Sequence, residues 1–171
     1  MALVIAQTPR LLLRPLTLYD ASFVLELMNQ PSYHRFIGDR GVRDTAGALN
    51  YIQTRFIASY EKHGYGLYAV VMLGTATLAG ICGLVKRETL PQPDLGFAFL
   101  PAYWSQGLAR EAAQATLQHA RKTIGLKQIL AVTHPENEAS MRLLQKLGFT
   151  FQEMIQFPGD DESLKLFTCD L

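Results

Sequence analysis

The sequence predicts an α/β protein, one mixed β-sheet with helices on both faces, from three observations. Apolar residues recur every second position in some stretches, as at Leu95, Phe97 and Phe99. In others they recur at spacings of three and four, as at Leu108, Ala112, Ala115, Ala120 and Ile124. The two patterns alternate along the chain without repeats or low-complexity segments. With 171 residues, 49% of them hydrophobic and 18% charged, the chain fits one domain, residues 1–171, with ample material for a core.

Arg10–Pro15 (RLLLRP) reads as a first strand closed by its proline. Thr17-Leu18-Tyr19-Asp20 resembles a capping box, with Asp in place of the usual Glu or Gln. A helix follows to about Asn29, with Phe23, Val24 and Leu27 inward, and Pro31 is expected to break it. Ser32–Arg43 reads as an irregular loop, either plain connection or the lip of a pocket. Asp44 or Thr45 caps a second helix with Leu49, Ile52, Phe56 and Tyr60 on one face, ending before Gly64. Leu67–Met72 and Thr77–Lys86 form a hairpin, and Gly80 and Gly83 thin its second strand for a bulge or a close neighbour.

The loop Arg87–Pro93 leads to a central strand opening at Asp94 and ending at Pro101, and a central helix runs from Gly107 to Gly125. Gln128–Thr133 is a buried-type strand, and Asn137–Leu147 a third helix, stopped by Gly148 with Phe149 folding back on Leu144. Phe151–Phe157 and Leu164–Leu171 make a last hairpin. The order is β-α-α-β-β-β-α-β-α-β-β.

A formal net charge of +1 argues against a nucleic-acid binder or a polybasic membrane anchor. Cys82 and Cys169 have no metal-type spacing, and His34, His63, His119 and His134 form no sequence-local metal site. The N-terminal MALVIAQTPR lacks a basic segment ahead of its apolar run, and no stretch approaches membrane-spanning length. The expectation is a soluble cytoplasmic protein with free thiols and no metal.

Two stretches point to chemistry. A strand feeding a helix through Gly107 aims unpaired backbone N–H groups and the positive helix end at one point, which makes an anion site. Gly107 would allow close approach and Gln106 and Arg110 would reach a pyrophosphate; alternatively Gly107 is a turn residue only. In the second stretch, Asn137 opens a helix and Ser140 lies one turn on, sharing its face. Both can enter one cleft, or Asn137 can serve as a cap alone.

Together these stretches carry a resemblance. Phe99-Leu100-Pro101 followed by Trp104-Ser105-Gln106-Gly107-Leu108-Ala109 and Glu111-Ala112 is similar to the acetyl-coenzyme A motif of the GNAT N-acetyltransferases. Asn137-x-x-Ser140, then Leu143-Leu144-x-Lys146-Leu147-Gly148-Phe149, resembles their next motif at the expected distance. Thr8-Pro9-Arg10-Leu11-x-Leu13-Arg14-Pro15-Leu16 and Asp20 resemble the N-terminal signature of the branch that acetylates ribosomal-protein N-termini at alanine or serine.

The resemblance implies a pantetheine arm paired with the main chain around Phe99 and Leu100, a pyrophosphate on the N–H groups of Gln106, Gly107, Leu108, Ala109 and Arg110, and an aromatic Trp104 where many relatives carry Arg or Gln. Many relatives also carry Tyr at the position of Leu144 as general acid; Ser140 is the implied substitute, with Asn137 orienting the cofactor. Asp94 is a candidate base, or else a carboxylate that closes a loop or caps the strand. The implied partner is an amine, a peptide N-terminus or a small molecule such as an amino acid, polyamine or drug-like amine. A catalytically idle acyl-coenzyme A sensor is the third reading. The oligomeric state is expected to be monomer or homodimer.

Overall fold

Alternating apolar residues lay down the sheet strand by strand, and the computed structural model describes residues 3–171. The strands are β1 (Ala6–Gln7), β2 (Leu11–Pro15), β3 (Leu67–Met72), β4 (Leu78–Val85), β5 (Asp94–Phe99), β6 (Gln128–Thr133), β7 (Thr150–Ile155) and β8 (Leu164–Asp170). They form one sheet in the order β1-β2-β3-β4-β5-β6-β8-β7. Each neighbouring pair is antiparallel except β5 with β6. The two-residue β1 adds a strand ahead of the expected first one, pairing Ala6 with Leu13. A Cβ on Gly80 would lie 2.3 Å from the Ala98 carbonyl oxygen, so only glycine lets β4 and β5 approach this closely. The ladder across from it carries the expected bulge, between Val70 and Val71.

The helices are α1 (Ala21–Met28), α2 (Pro31–Phe36), α3 (Thr45–Tyr51), α4 (Ala58–His63), α5 (Leu108–His119) and α6 (Glu138–Lys146). Pro31 starts a helix as well as ending one. Its missing N–H costs nothing in a first helical turn, and Gln30 before it takes the extended backbone that a following proline favours. Part of the stretch expected to be irregular is therefore α2. A wide turn of π type, Ile52–Ile57, joins α3 to α4 without a break. It keeps Ala48, Ile52, Phe56 and Tyr60 in line at four-residue steps and leaves Leu49 at 36% exposure, so Ala48 fills the place expected of Leu49.

Both faces of the sheet are covered. Leu108, Ala112, Ala113 and Ala120 on and after α5, with Leu144 of α6 and Phe149, pack on Leu11, Leu13, Val70, Leu95 and Phe99. Phe23, Val24 and Leu27 of α1 with Ile52 and Phe56 cover Ala69 and Ile81 on the other face. The N-terminal signature is a clasp between these layers. Arg14 donates from both terminal nitrogens to Asp20 at 2.8 and 2.9 Å, and Asp20 accepts from the Thr17 N–H at 2.8 Å as the capping box requires. Burial pushes the Asp20 carboxyl up, but the bonds from Arg14 and Thr17 outweigh it and hold the group below its usual range. Among the described residues no helix is long and apolar enough to cross a membrane.

Candidate active site

The site begins with a wedge in the sheet. Strands β5 and β6 share one rung, Asp94 opposite Leu130, where the Leu130 N–H donates to the Pro93 carbonyl at 3.0 Å. Beyond it the two strands part. Alternate residues of a strand turn their main-chain groups to the same side, so beyond Pro93 and Leu95, which flank the rung, Phe97 and Phe99 present theirs to the gap. Leu100 faces the other way, its N–H donating to Ala79 at 2.9 Å while its carbonyl accepts from Tyr103 at 3.0 Å. Both main-chain groups of Leu100 are thus engaged within the chain, and Phe97 and Phe99 carry the β5 edge that faces the gap.

At the open end of the wedge a turn at Pro101–Tyr103 leads to Trp104, Ser105, Gln106 and Gly107, and then to α5. Gly107 caps the helix at φ 76°, a left-handed conformation natural to glycine, and its side-chain-free position leaves the N–H groups of the first turn unspent. Ser105 also lies in the left-handed region, at φ 59°. The Leu108 side chain is in the core, 1% exposed, so only its N–H can serve a ligand. Arg110 is exposed, and the Gln106 amide is spent on the Ala102 carbonyl at 2.9 Å. Trp104 turns back along the chain, its indole N–H donating to the Phe99 carbonyl at 2.8 Å.

Arg10 joins this loop from a hundred residues away, and nothing local in the sequence signals it. Its Nε donates to Glu111 at 2.7 Å and its Nη1 to the Gln106 carbonyl at 2.9 Å. Glu111 also accepts from the Thr8 hydroxyl and the Arg10 N–H. Burial raises the Glu111 carboxyl, yet these donors bring it below its ordinary value. Thr8, Arg10 and Glu111 thus brace the phosphate-type loop against the first hairpin.

Asp94 sits at the closed apex, five residues from Phe99 and therefore about 17 Å from the open end. It is 2% exposed and held by Arg87, Nε to Oδ1 at 2.9 Å and Nη2 to Oδ2 at 3.4 Å. Burial pushes its carboxyl above the usual range against the pull of Arg87. Arg87 also lies 4.9 Å above the Phe157 ring, so this pair ties the Arg87–Pro93 loop to the last hairpin. On α6, the Asn137 side-chain oxygen accepts from the Ser140 N–H at 3.2 Å and caps the helix. The Ser140 hydroxyl has no hydrogen-bond partner among the described residues. Leu144 packs in the core at 1% exposure and carries no proton to give.

His134 closes the far side. Phe36 of α2 meets its ring edge-on at 5.6 Å, its Nδ1 accepts from the Glu136 N–H at 3.1 Å, and its Nε2 lies 3.6 Å from Glu162. Arg35 bridges to Glu136 at 3.0 Å. The Ser32–Arg43 segment and the Pro158–Glu162 turn are thereby brought to one rim. Among the described residues, no group of three or more His, Cys, Asp or Glu side chains is placed to hold a metal.

The arrangement offers an anion cradle, an unpaired strand edge and a narrowing cleft. Residues 10–150 match the family model for the acetyltransferase (GNAT) domain. An uncharacterised N-acetyltransferase of Bacillus subtilis, YoaA, is 30% identical over 146 residues, covering 85% of this chain and 82% of that one. A GNAT-family acetyltransferase from Bacillus anthracis superposes with a TM-score of 0.81 at 26% identity, covering 98% of each chain. RimL, a ribosomal L7/L12 α-N-protein acetyltransferase, superposes with a TM-score of 0.82 at 14% identity over 100% of this chain and 96% of its own, a likeness of fold.

Proposed function

The chain belongs to the GNAT acetyltransferase family and is an acetyl-coenzyme A-dependent N-acetyltransferase, and from that premise we propose that its acceptor is an exposed α-amine, as on a peptide N-terminus. The observation that carries the acceptor class is the state of Asp94: the carboxylate nearest the closed end of the wedge is buried and engaged by Arg87. That carboxylate is not free to strip a proton from a lysine. An α-amine with pKa near 8 is about one-tenth neutral at pH 7, whereas a lysine amine near 10.4 is neutral at roughly one part in a few thousand. The α-amine needs little help. RimL, which shares the fold, is named for acetylating a protein α-amine, and the reading accords with it.

The residues present suit the coenzyme. Gly107 and the unspent N–H groups through Arg110 form the cradle for a pyrophosphate, and the main chain of Phe97 and Phe99 forms the edge for an extended amide arm. When bound, acetyl-coenzyme A would supply a thioester carbonyl to a neutral amine: the N–C bond forms, the C–S bond then breaks, and the proton the nitrogen gives up passes to solvent or to the departing sulfur. A main-chain N–H on the β5 edge steadies the oxygen charge that develops. Ser140 offers its unengaged hydroxyl to the departing sulfur, and Asn137 holds the first turn of α6 that presents it. Asp94 and Arg87 act on geometry, keeping the Arg87–Pro93 loop over the apex. The acceptor enters at the rim where α2, His134 and the Pro158–Glu162 turn meet.

Thiol release from acetyl-coenzyme A with a panel of peptides, lysine side chains and small amines tests this. With a good acceptor the rate rises with pH and levels near pH 8 as the α-ammonium loses its proton. A plateau by about pH 6 would point instead to an enzyme base, and a marked preference for lysine would overturn the α-amine assignment.

A further inference from the structure

Trp104 is the chain's single tryptophan, and it is 49% exposed, so packing alone does not account for its place. An exposed indole N–H is ordinarily satisfied by water. This one reaches back five residues to the Phe99 carbonyl at 2.8 Å. That carbonyl lies on the side of β5 that faces the wedge, past the single rung to β6, where no strand supplies a donor. The indole therefore stands at the strand edge as a substitute for a missing neighbour.

We infer that Trp104 is a latch on the central strand, its indole N–H holding the Phe99 carbonyl until an amide of the coenzyme's pantetheine arm takes that bond and the ring swings out. The inference rests on the coenzyme site described above and adds to it a residue that acts by exchange. An arm lying along β5 in extended form needs donors and acceptors on the same edge, and Phe99 O is among the few it offers. One N–H···O bond is exchanged for another of the same kind, so the enthalpic cost is small. The latch lowers apparent affinity by the stability of its closed form. The neighbouring Ser105, already at φ 59°, shows that the chain beside the latch is held in an uncommon conformation.

With only one tryptophan, the ¹⁵N-labelled full-length protein gives one indole N–H resonance. In the free protein it should be downfield and slow to exchange with solvent. ADP, which carries the pyrophosphate without the amide arm, should leave it protected. Coenzyme A should move it upfield and speed its exchange by about tenfold or more. An indole that stays protected at saturating coenzyme A, while other amides shift, overturns the latch and leaves the coenzyme site standing. Absence of any coenzyme A response in the spectrum overturns both. Trp104→Phe provides the second measurement: it should bind coenzyme A about two- to tenfold more tightly, the span of one neutral hydrogen bond, with ADP affinity unchanged. Weaker coenzyme A binding by Trp104→Phe would mean that the indole grips the arm, and the latch would be wrong.

Discussion

Gly107→Glu separates the conformational from the electrostatic role of the loop. A Cβ at this position meets nothing nearer than the Arg10 Nη2 at 3.5 Å, so space is no obstacle. The obstacle is φ 76°, which costs an L-residue about 1–2 kcal/mol. For a domain of this size that lowers the melting temperature by about 2–8 °C. Gly107→Ala carries the same backbone cost without the charge and is the control. The added carboxylate of Gly107→Glu competes with a bound pyrophosphate both for the helix N-terminus and for Arg10. At a separation of 4 Å and an effective dielectric constant of 20, repulsion between unit charges is about 4 kcal/mol, and exposure brings it to roughly 2–4 kcal/mol. Coenzyme A affinity should fall about 30- to 1000-fold in Gly107→Glu and less than about threefold in Gly107→Ala. Calorimetric titration of both variants, each shown folded by its melting curve, measures this. Equal losses in the two would assign the effect to backbone strain, and unchanged affinity in a folded Gly107→Glu would refute the cradle.

Ser140→Ala should lower the turnover rate by about ten- to a thousandfold with coenzyme A affinity nearly constant, and wild-type turnover would return Ser140 to the role of a helix residue. Ser105→Gly should raise the melting temperature by about 2–4 °C, because glycine holds φ 59° freely; no gain would show that the hydroxyl offsets the strain. Asp20, with its carboxyl held below the usual range, adds stability that is present above its unfolded pKa near 3.9 and is lost as pH falls through the lower folded value. Urea midpoints should therefore drop below about pH 4, and Asp20→Asn should flatten that decline while lowering the midpoint at pH 7; an unchanged slope would contradict the clasp with Arg14.

What the sequence disclosed was local. The alternation in Leu95–Phe99, the cap at Asn137 and the stop at Gly148 each rest on a few adjacent residues, and the structure contains all three; Phe149 even donates its N–H to Leu144 at 3.0 Å. The reading failed where one residue type serves two local purposes. Pro31 ends α1 and begins α2, and both uses satisfy the same missing N–H. It also failed where a wide turn shifts helical phase, so that Ala48 replaces Leu49, and on α5, where Thr116 between Ala112 and Ala120 lies deeper than Ala115. Contacts across the chain were beyond it. Arg10 meets Gln106 and Glu111 only because β2 and α5 pack together, and β8 lies between β6 and β7 because the last hairpin inserts by its second strand. In the candidate site, the Gly107 turn into α5 was legible as a motif, whereas the engagement of Asp94 by Arg87 depends on the path of a loop.

The single rung between β5 and β6 also bears on how the molecule is assembled. Strands β1 to β5 are neighbours in space in the order in which they are synthesised, and β6, β8 and β7 form a second group from the last third of the chain. Each group closes its own ladders without a strand from the other, although Leu11 with Met72 and Gln128 with Asp170 are pairings between distant parts of the chain. One backbone pair, the core under α5 and α6, and the rim contacts of Arg35, Phe36 and Arg87 then unite them. The boundary falls near Gly125, ahead of Lys127, whose carbonyl accepts from the Leu171 N–H, so a nick or an inserted domain at Gly125 would interrupt no strand pairing. Two separately produced halves cut there have the makings of a complementing pair, whose reunion would restore the cleft along the seam at which they join.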